Sequence, residues 1–405
     1  MNRAMSDLRE TISRATDHIH ASPSALNETL SRARRRARGR RVLAGTLALV
    51  VSAGAIFVLS EAFSGVSTRP AGTDSGRRTT APKALNPVIT DTFVVSPPPG
   101  SVSSAAYGFE SLWVTGLDEM GDSTLWRIDP TSGHVVARMA VSATGWNVGG
   151  GGLSISDDSV WVVGQAGTDG VLLQRVDPAV DQVVQTIQLD GERGDDVAAT
   201  DSGLWVLLST GHPTTSVIRV DPALGEVVAS IPLDIPFARR LVPAGSGIWV
   251  VGNAVEGGTV GEAISQRIDV ATNQVSVTVS DPRSSGPYVI DNEMWAVRAT
   301  GGEVDSLIRL DPETGNPIGD PVLVADGIHA PGLVGDPDGG IWLTTYDPAV
   351  DGSPSFLERF DPTSETVDAS VQVGPNPVQI VVSPGNVWVL NYEGTITRVA
   401  MWAEA

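Results

Sequence analysis

The sequence predicts an all-β chain built as a closed ring of seven small sheets, with a single membrane-crossing helix ahead of it. Three observations carry that expectation. An apolar-Trp step recurs seven times at nearly constant spacing. An Arg-apolar-Asp sequence follows the first six of these steps. An uncharged run of 18 residues, Val42–Leu59, follows a cluster of arginines.

The Trp steps fall at Leu112-Trp113, Val160-Trp161, Leu204-Trp205, Ile248-Trp249, Met294-Trp295, Ile341-Trp342 and Val387-Trp388, 44 to 48 residues apart. The matching ends read RIDP, RVDP, RVDP, RIDV, RLDP and RFDP, beginning at Arg127, Arg175, Arg219, Arg267, Arg309 and Arg359. Each unit holds about four short strand-like runs. In the third these are Val197–Ala199, Leu204–Leu208, Ser216–Val220 and Val227–Pro232. Between its last two runs sits Asp-Pro-Ala-Leu-Gly, where Pro fixes φ and Gly accepts φ > 0, so a tight hairpin follows. Four strands per unit, repeated seven times, predict a seven-bladed β-propeller. The last unit is one strand short, and an unclaimed strand, Val88–Val95, precedes the first. Pairing the two closes the ring and removes its open edge.

The repeated residues have scaffold roles in this reading. A Trp at the same place in each blade packs on the neighbouring sheet, burying about 150–250 Å². The recurring Arg and Asp stand two residues apart on one strand face, placed to form ion pairs or cap the turn. Gly contributes 44 and Pro 27 of the 405 residues, which suits many short strands and turns. There is no Cys, which excludes disulfides, Cys-ligated zinc and thiol nucleophiles.

Ahead of the ring the composition changes. Residues 1–41 carry ten Arg against four acids and read as two short helical pieces, the second capped at Ser22-Pro23. Val42–Leu59 spans about 27 Å as a helix, close to a bilayer's hydrocarbon thickness. The domain reading is therefore a basic cytoplasmic segment over 1–41, a transmembrane helix over 42–60, a disordered linker over 61–85 and an extracytoplasmic propeller over 86–405. A cleaved signal peptide is the rival, disfavoured by the length of the apolar run and the long n-region. The remainder of the chain holds 17 basic and 43 acidic residues, a balance that repels phosphate backbones and excludes nucleic acid as a partner.

Unit seven, VGPNPVQIVVSPGNVWVLNYEGTITRV over 373–399, resembles the repeat of YVTN-type and streptogramin B lyase-like β-propellers. The overall layout is also similar to actinobacterial membrane-anchored proteins, a resemblance that implies a cytoplasmic segment able to engage a sigma factor. The lyase resemblance implies His and Glu near the channel with Mg²⁺, in a Glu-x-His step. Beyond the membrane run the chain has His134, His212 and His329, and none has an acid two residues before it. Asp157-Asp158, Asp195-Asp196 and Asp336-Pro-Asp338 offer carboxylates for Ca²⁺ or Mg²⁺, and equally for turn hydrogen bonds.

The candidate site is one mouth of the central channel, ringed by the loops that enter the innermost strand of each blade. These supply Trp146, Asn147, Asp195, Asp196, Arg239, Arg240, Tyr288, His329 and Asn376, positions that differ between blades where the scaffold residues repeat. Trp146, Arg239, Arg240 and His329 suit a small anionic or aromatic ligand. The expected function is ligand or protein binding and sensing, with channel-mouth lyase or hydrolase chemistry and sigma-factor regulation as the alternatives.

Overall fold

Each repeat folds as an antiparallel meander because short apolar-rich strands alternate with turns that only a few residue types can make. The computed structural model describes residues 87–94, 101–141, 143–144, 152–165, 170–209, 215–256, 259–280, 284–299, 304–326, 332–345, 354–391 and 394–401. The basic segment, the membrane helix and the linker lie outside these residues. Among the described residues no helix is long and apolar enough to cross a membrane.

Seven sheets follow in chain order, each paired only within itself. Blade 3 is representative, with strands Arg193–Thr200, Gly203–Ser209, Thr215–Asp221 and Glu226–Leu233. The first strands of successive blades touch one another around the ring, so they form the channel wall. Blade 2 has a broken first strand, Ala143–Thr144 and Leu153–Ile155, both parts pairing with Val160–Gln165. Blade 7 supplies Pro377–Ser383, Asn386–Asn391 and Thr395–Ala400, and Val88–Val94 adds its outer strand, with Val88 opposite Ala400 and Val94 opposite Thr395. The ring closes as the sequence predicts.

The core lies between blades. Trp205 packs with Ile248, Val250 and Leu241 of blade 4, and Trp388 packs with Val102, Leu112 and Val114 of blade 1. All seven repeat Trp side chains are buried. Directly across the sheet from each stands the repeat Arg. In blades 1, 3 and 7 its guanidinium lies over the Trp ring and reaches the next blade's outer turn. Arg127 donates to Pro178 O and Asp181 Oδ1, Arg219 to Val270 O and Asn273 Oδ1, and Arg398 to Pro130 O. The repeat Asp serves its own turn. Asp221 Oδ1, for example, accepts from the amides of Ala223 and Leu224.

The fifth turn residue has positive φ in all six such turns: Gly133, Asp181, Gly225, Asn273, Gly315 and Glu365. Asp181 and Asn273 repay their backbone conformation by accepting the previous blade's arginine. No described side-chain contact of this kind involves Glu365.

Candidate functional site

The structure moves the predicted mouth residues. Asp195, Asp196, Arg239, Arg240 and Tyr288 lie within the innermost strands Arg193–Thr200, Phe237–Ala244 and Ser284–Ile290, not in the loops that enter them. The reason is a β-bulge near the start of these strands. It falls between Val102 and Ser104, Gly194 and Asp196, Ala238 and Arg240, Ser285 and Tyr288, and Pro377 and Gln379. An extra residue there lets the strand bend and re-aims its side chains. Asn376 is exposed, with φ of 51°, immediately before Pro377–Ser383. Trp146, Asn147, His212 and His329 lie outside the described residues.

The residue after the bulge links one blade to the next. Gln379 accepts from Ala105 N at 2.8 Å and donates to Ala105 O at 2.9 Å. Asp196 Oδ2 accepts from Leu241 N at 2.7 Å, while its Oδ1 accepts from Val197 N at 2.7 Å. The Gly152 amide also bears on this carboxyl, so backbone from blades 2, 3 and 4 converges on it. Burial pushes its pKa up to about 7, against the opposing pull of these amides and of Arg240. Arg240 lies 4.2 Å above the Tyr288 ring and donates to Pro287 O at 2.8 Å.

The bulged residues themselves are more varied in exposure. Asp195 is buried, paired with Arg193 at 2.6 Å and accepting from Ser209 Oγ at 2.7 Å. Arg239 is exposed, its guanidinium 4.8 Å from the Phe237 ring centroid. Among the described residues it has no carboxylate within ion-pair distance, and partial desolvation holds its pKa below the ordinary arginine value. Arg239 is therefore the described wall residue best placed to receive an anion.

Within the carboxylate clusters Asp158, Asp195, Asp196 and Asp336 are engaged with protein. Asp158 pairs with Arg175 at 2.6 Å. Asp336 accepts from Arg359 Nε and from the amides of Asp338 and Gly340. Burial would raise the Asp336 pKa, but the Arg359 bond and these amides outweigh it and hold the carboxyl below its ordinary value. Among the described residues no group of three His, Cys, Asp or Glu side chains is placed to hold a metal. His134 ends an exposed outer turn, where its carbonyl accepts from Asp129 N.

No family model matches the chain, and no curated protein matches it by sequence. Its fold is widespread among solved structures. A chain of Kuenenia stuttgartiensis hydrazine synthase superimposes with a TM-score of 0.54 at 14% identity, covering 75% of this chain and 95% of that one. A chain of a mitotic checkpoint complex gives 0.58 at 11% identity, covering 84% and 99%. The likeness is one of fold. At such identities the shared fold carries no activity across.

Proposed function

We propose that the propeller is the extracytoplasmic binding domain of a single-pass membrane protein, anchored by Val42–Leu59, and that it senses a small anionic or aromatic ligand, or a protein bearing one, at the channel mouth. Arg239 carries this reading: an exposed guanidinium on the channel wall, backed by Phe237 and lacking a carboxylate partner among the described residues. Its neighbours Asp196, Arg240 and Tyr288 hold the wall in place. They position the mouth more than they supply its contacts. The ten arginines of residues 1–41 orient the anchor and leave residues 1–38 on the cytoplasmic side for a protein partner.

The test uses the full chain. Small anionic and aromatic compounds are screened for ligand-dependent shifts in melting temperature, with and without Mg²⁺ or Ca²⁺. The expected result is a shift that Arg239→Ala removes. An unchanged shift in that variant, or metal-dependent turnover of a cyclic ester, overturns the reading. Protease added outside intact cells is expected to remove the propeller and spare residues 1–41; protection of the propeller overturns the topology.

A further inference from the structure

The seam between blades 4 and 5 departs from the other six in a way that the repeat makes visible. Two residues before the repeat Arg, the third strand carries Leu125, Leu173, Val217, Leu307, Leu357 or Ile396, each packed against the next blade. In blade 4 this position is Ser265. One residue after the repeat Trp, the second strand carries Val114, Val162, Val206, Val250, Leu343 or Val389, facing the preceding blade. In blade 5 this position is Ala296. The two small residues stand on opposite walls of one seam. The buried cluster there is reduced to Val242, Ala244, Trp249 and Met294.

The space they leave is a pocket of about 340 Å³, bounded among others by Trp249, Ser265, Met294, Ala296, Arg298 and Leu310. That volume lies at the lower end of small-molecule sites, and its walls are mostly apolar, as such sites are. Its floor is rigid. Trp249 Nε1 donates to Pro312 O at 2.9 Å, and a Cβ at Gly315 would come within 2.7 Å of the Trp249 ring, so only Gly fits beside it. Its inner end is formed by Gly286 and Pro287, whose carbonyl Arg240 holds. Among the described lining residues Arg298 alone is ionisable. Three residues after the repeat Trp, its counterparts are Gly116, Gly164, Leu208, Gly252, Thr345 and Asn391, so a charge at this position is peculiar to blade 5. Arg298 is itself engaged in the protein and Ser280 Oγ donates to Glu262, so the apolar walls are what the pocket offers a ligand.

The geometry points to a second ligand site in this seam, distinct from the channel mouth, that takes a small planar aromatic molecule. Two sheet faces bound the pocket, so the space is a slot, and a flat ring fills a slot with less loss than a bulky aliphatic group. The ring lies between the two sheets, where Ser265 and Ala296 leave room for it. Loss of a large side chain from both facing positions leaves the seam underpacked on its own, at a cost a bound ring would offset.

Indole is the probe, titrated calorimetrically into the full chain. Saturable one-site binding is expected. Ser265→Leu with Ala296→Val, which restores the residue types of the other seams, weakens it by at least roughly tenfold while the melting temperature holds or rises. Should the double variant melt lower than wild type, Ser265→Val alone is used in its place. Arg239→Ala leaves the binding unchanged. Absence of saturable binding to wild type, or equal affinity in the filled variant, overturns the assignment. Loss of binding in Arg239→Ala with no change in the filled variant overturns it as well and moves the ligand to the channel mouth.

Discussion

Asp196 makes a pH-dependent contribution whose sign follows from its surroundings. In the unfolded chain its carboxyl titrates near 3.8, and in the ring burial raises this to about 7. Between those values the folded chain retains a proton that the unfolded chain has lost, so stability falls as pH rises through the window. The contribution is complete below pH 4 and gone above about pH 7. At about 1.4 kcal/mol per pKa unit the full swing is on the order of 4 kcal/mol. A comparison with Asp196→Asn isolates this group from the other carboxylates. Asn keeps the shape and one acceptor oxygen of the protonated acid but has no charge to bury. Urea unfolding of both proteins at intervals from pH 4.5 to 8.5 measures the difference. Near pH 4.5 the Asn variant should be the less stable by about 1–3 kcal/mol, because its NH2 meets a backbone N–H that a carboxyl oxygen accepts, and toward pH 8 the difference should move in its favour by roughly 4 kcal/mol. A difference that is flat across the range, or that moves in favour of wild type as pH rises, would refute the reasoning and show that the converging amides outweigh desolvation.

Other expectations concern the outer turns. Arg219→Ala removes bonds to Ser202 O, Val270 O and Asn273 Oδ1, and should cost about 1–3 kcal/mol in chemical unfolding. A double-mutant cycle with Asn273→Ala should return a coupling of roughly 0.5–1.5 kcal/mol, and additivity would show that the inter-blade bond carries no weight. Glu365 sits at φ of 57° where three sister turns use Gly. Glu365→Gly should therefore raise stability by about 0.5–1 kcal/mol, the αL penalty offsetting the greater freedom Gly gains when unfolded. A melting temperature lowered by this substitution would contradict the turn assignment.

The ring was legible in the sequence because its signals are periodic and its scaffold residues are large or conformationally special. Trp205, Arg219 and Asp221 repeat with a fixed period, and each does in the structure what that repetition suggests. The innermost strands were harder to read. Gly194-Asp195-Asp196 carries the composition of a turn, yet it begins a strand, because a bulge accommodates the extra residue and three blades' amides accommodate the charge. Arg240 and Tyr288 stand among the positions that differ between blades, but their stacking across the blade 4–5 seam depends on which residues face one another, and no local pattern contains that. Ser265 and Ala296 illustrate the same limit. Each is unremarkable in its own strand, and their pairing becomes visible only when the packing shows that one position faces forward around the ring and the other backward.

The strand Val88–Val94 gives the ring a schedule as well as a shape. Thr92 meets Thr397 across 305 residues of sequence. At ordinary rates of synthesis roughly 15–60 s separate the appearance of those two segments. Through that interval the first strand has no partner, and blades 1 to 6 assemble as an open arc whose terminal sheet faces have no neighbours. Loop closure over such a distance is entropically costly, and contacts of such long range are slow to form. Until blade 7 joins, the half-made ring offers the same edges that a second chain would offer, and whatever keeps neighbouring copies apart in that time governs how much of the protein reaches its closed form.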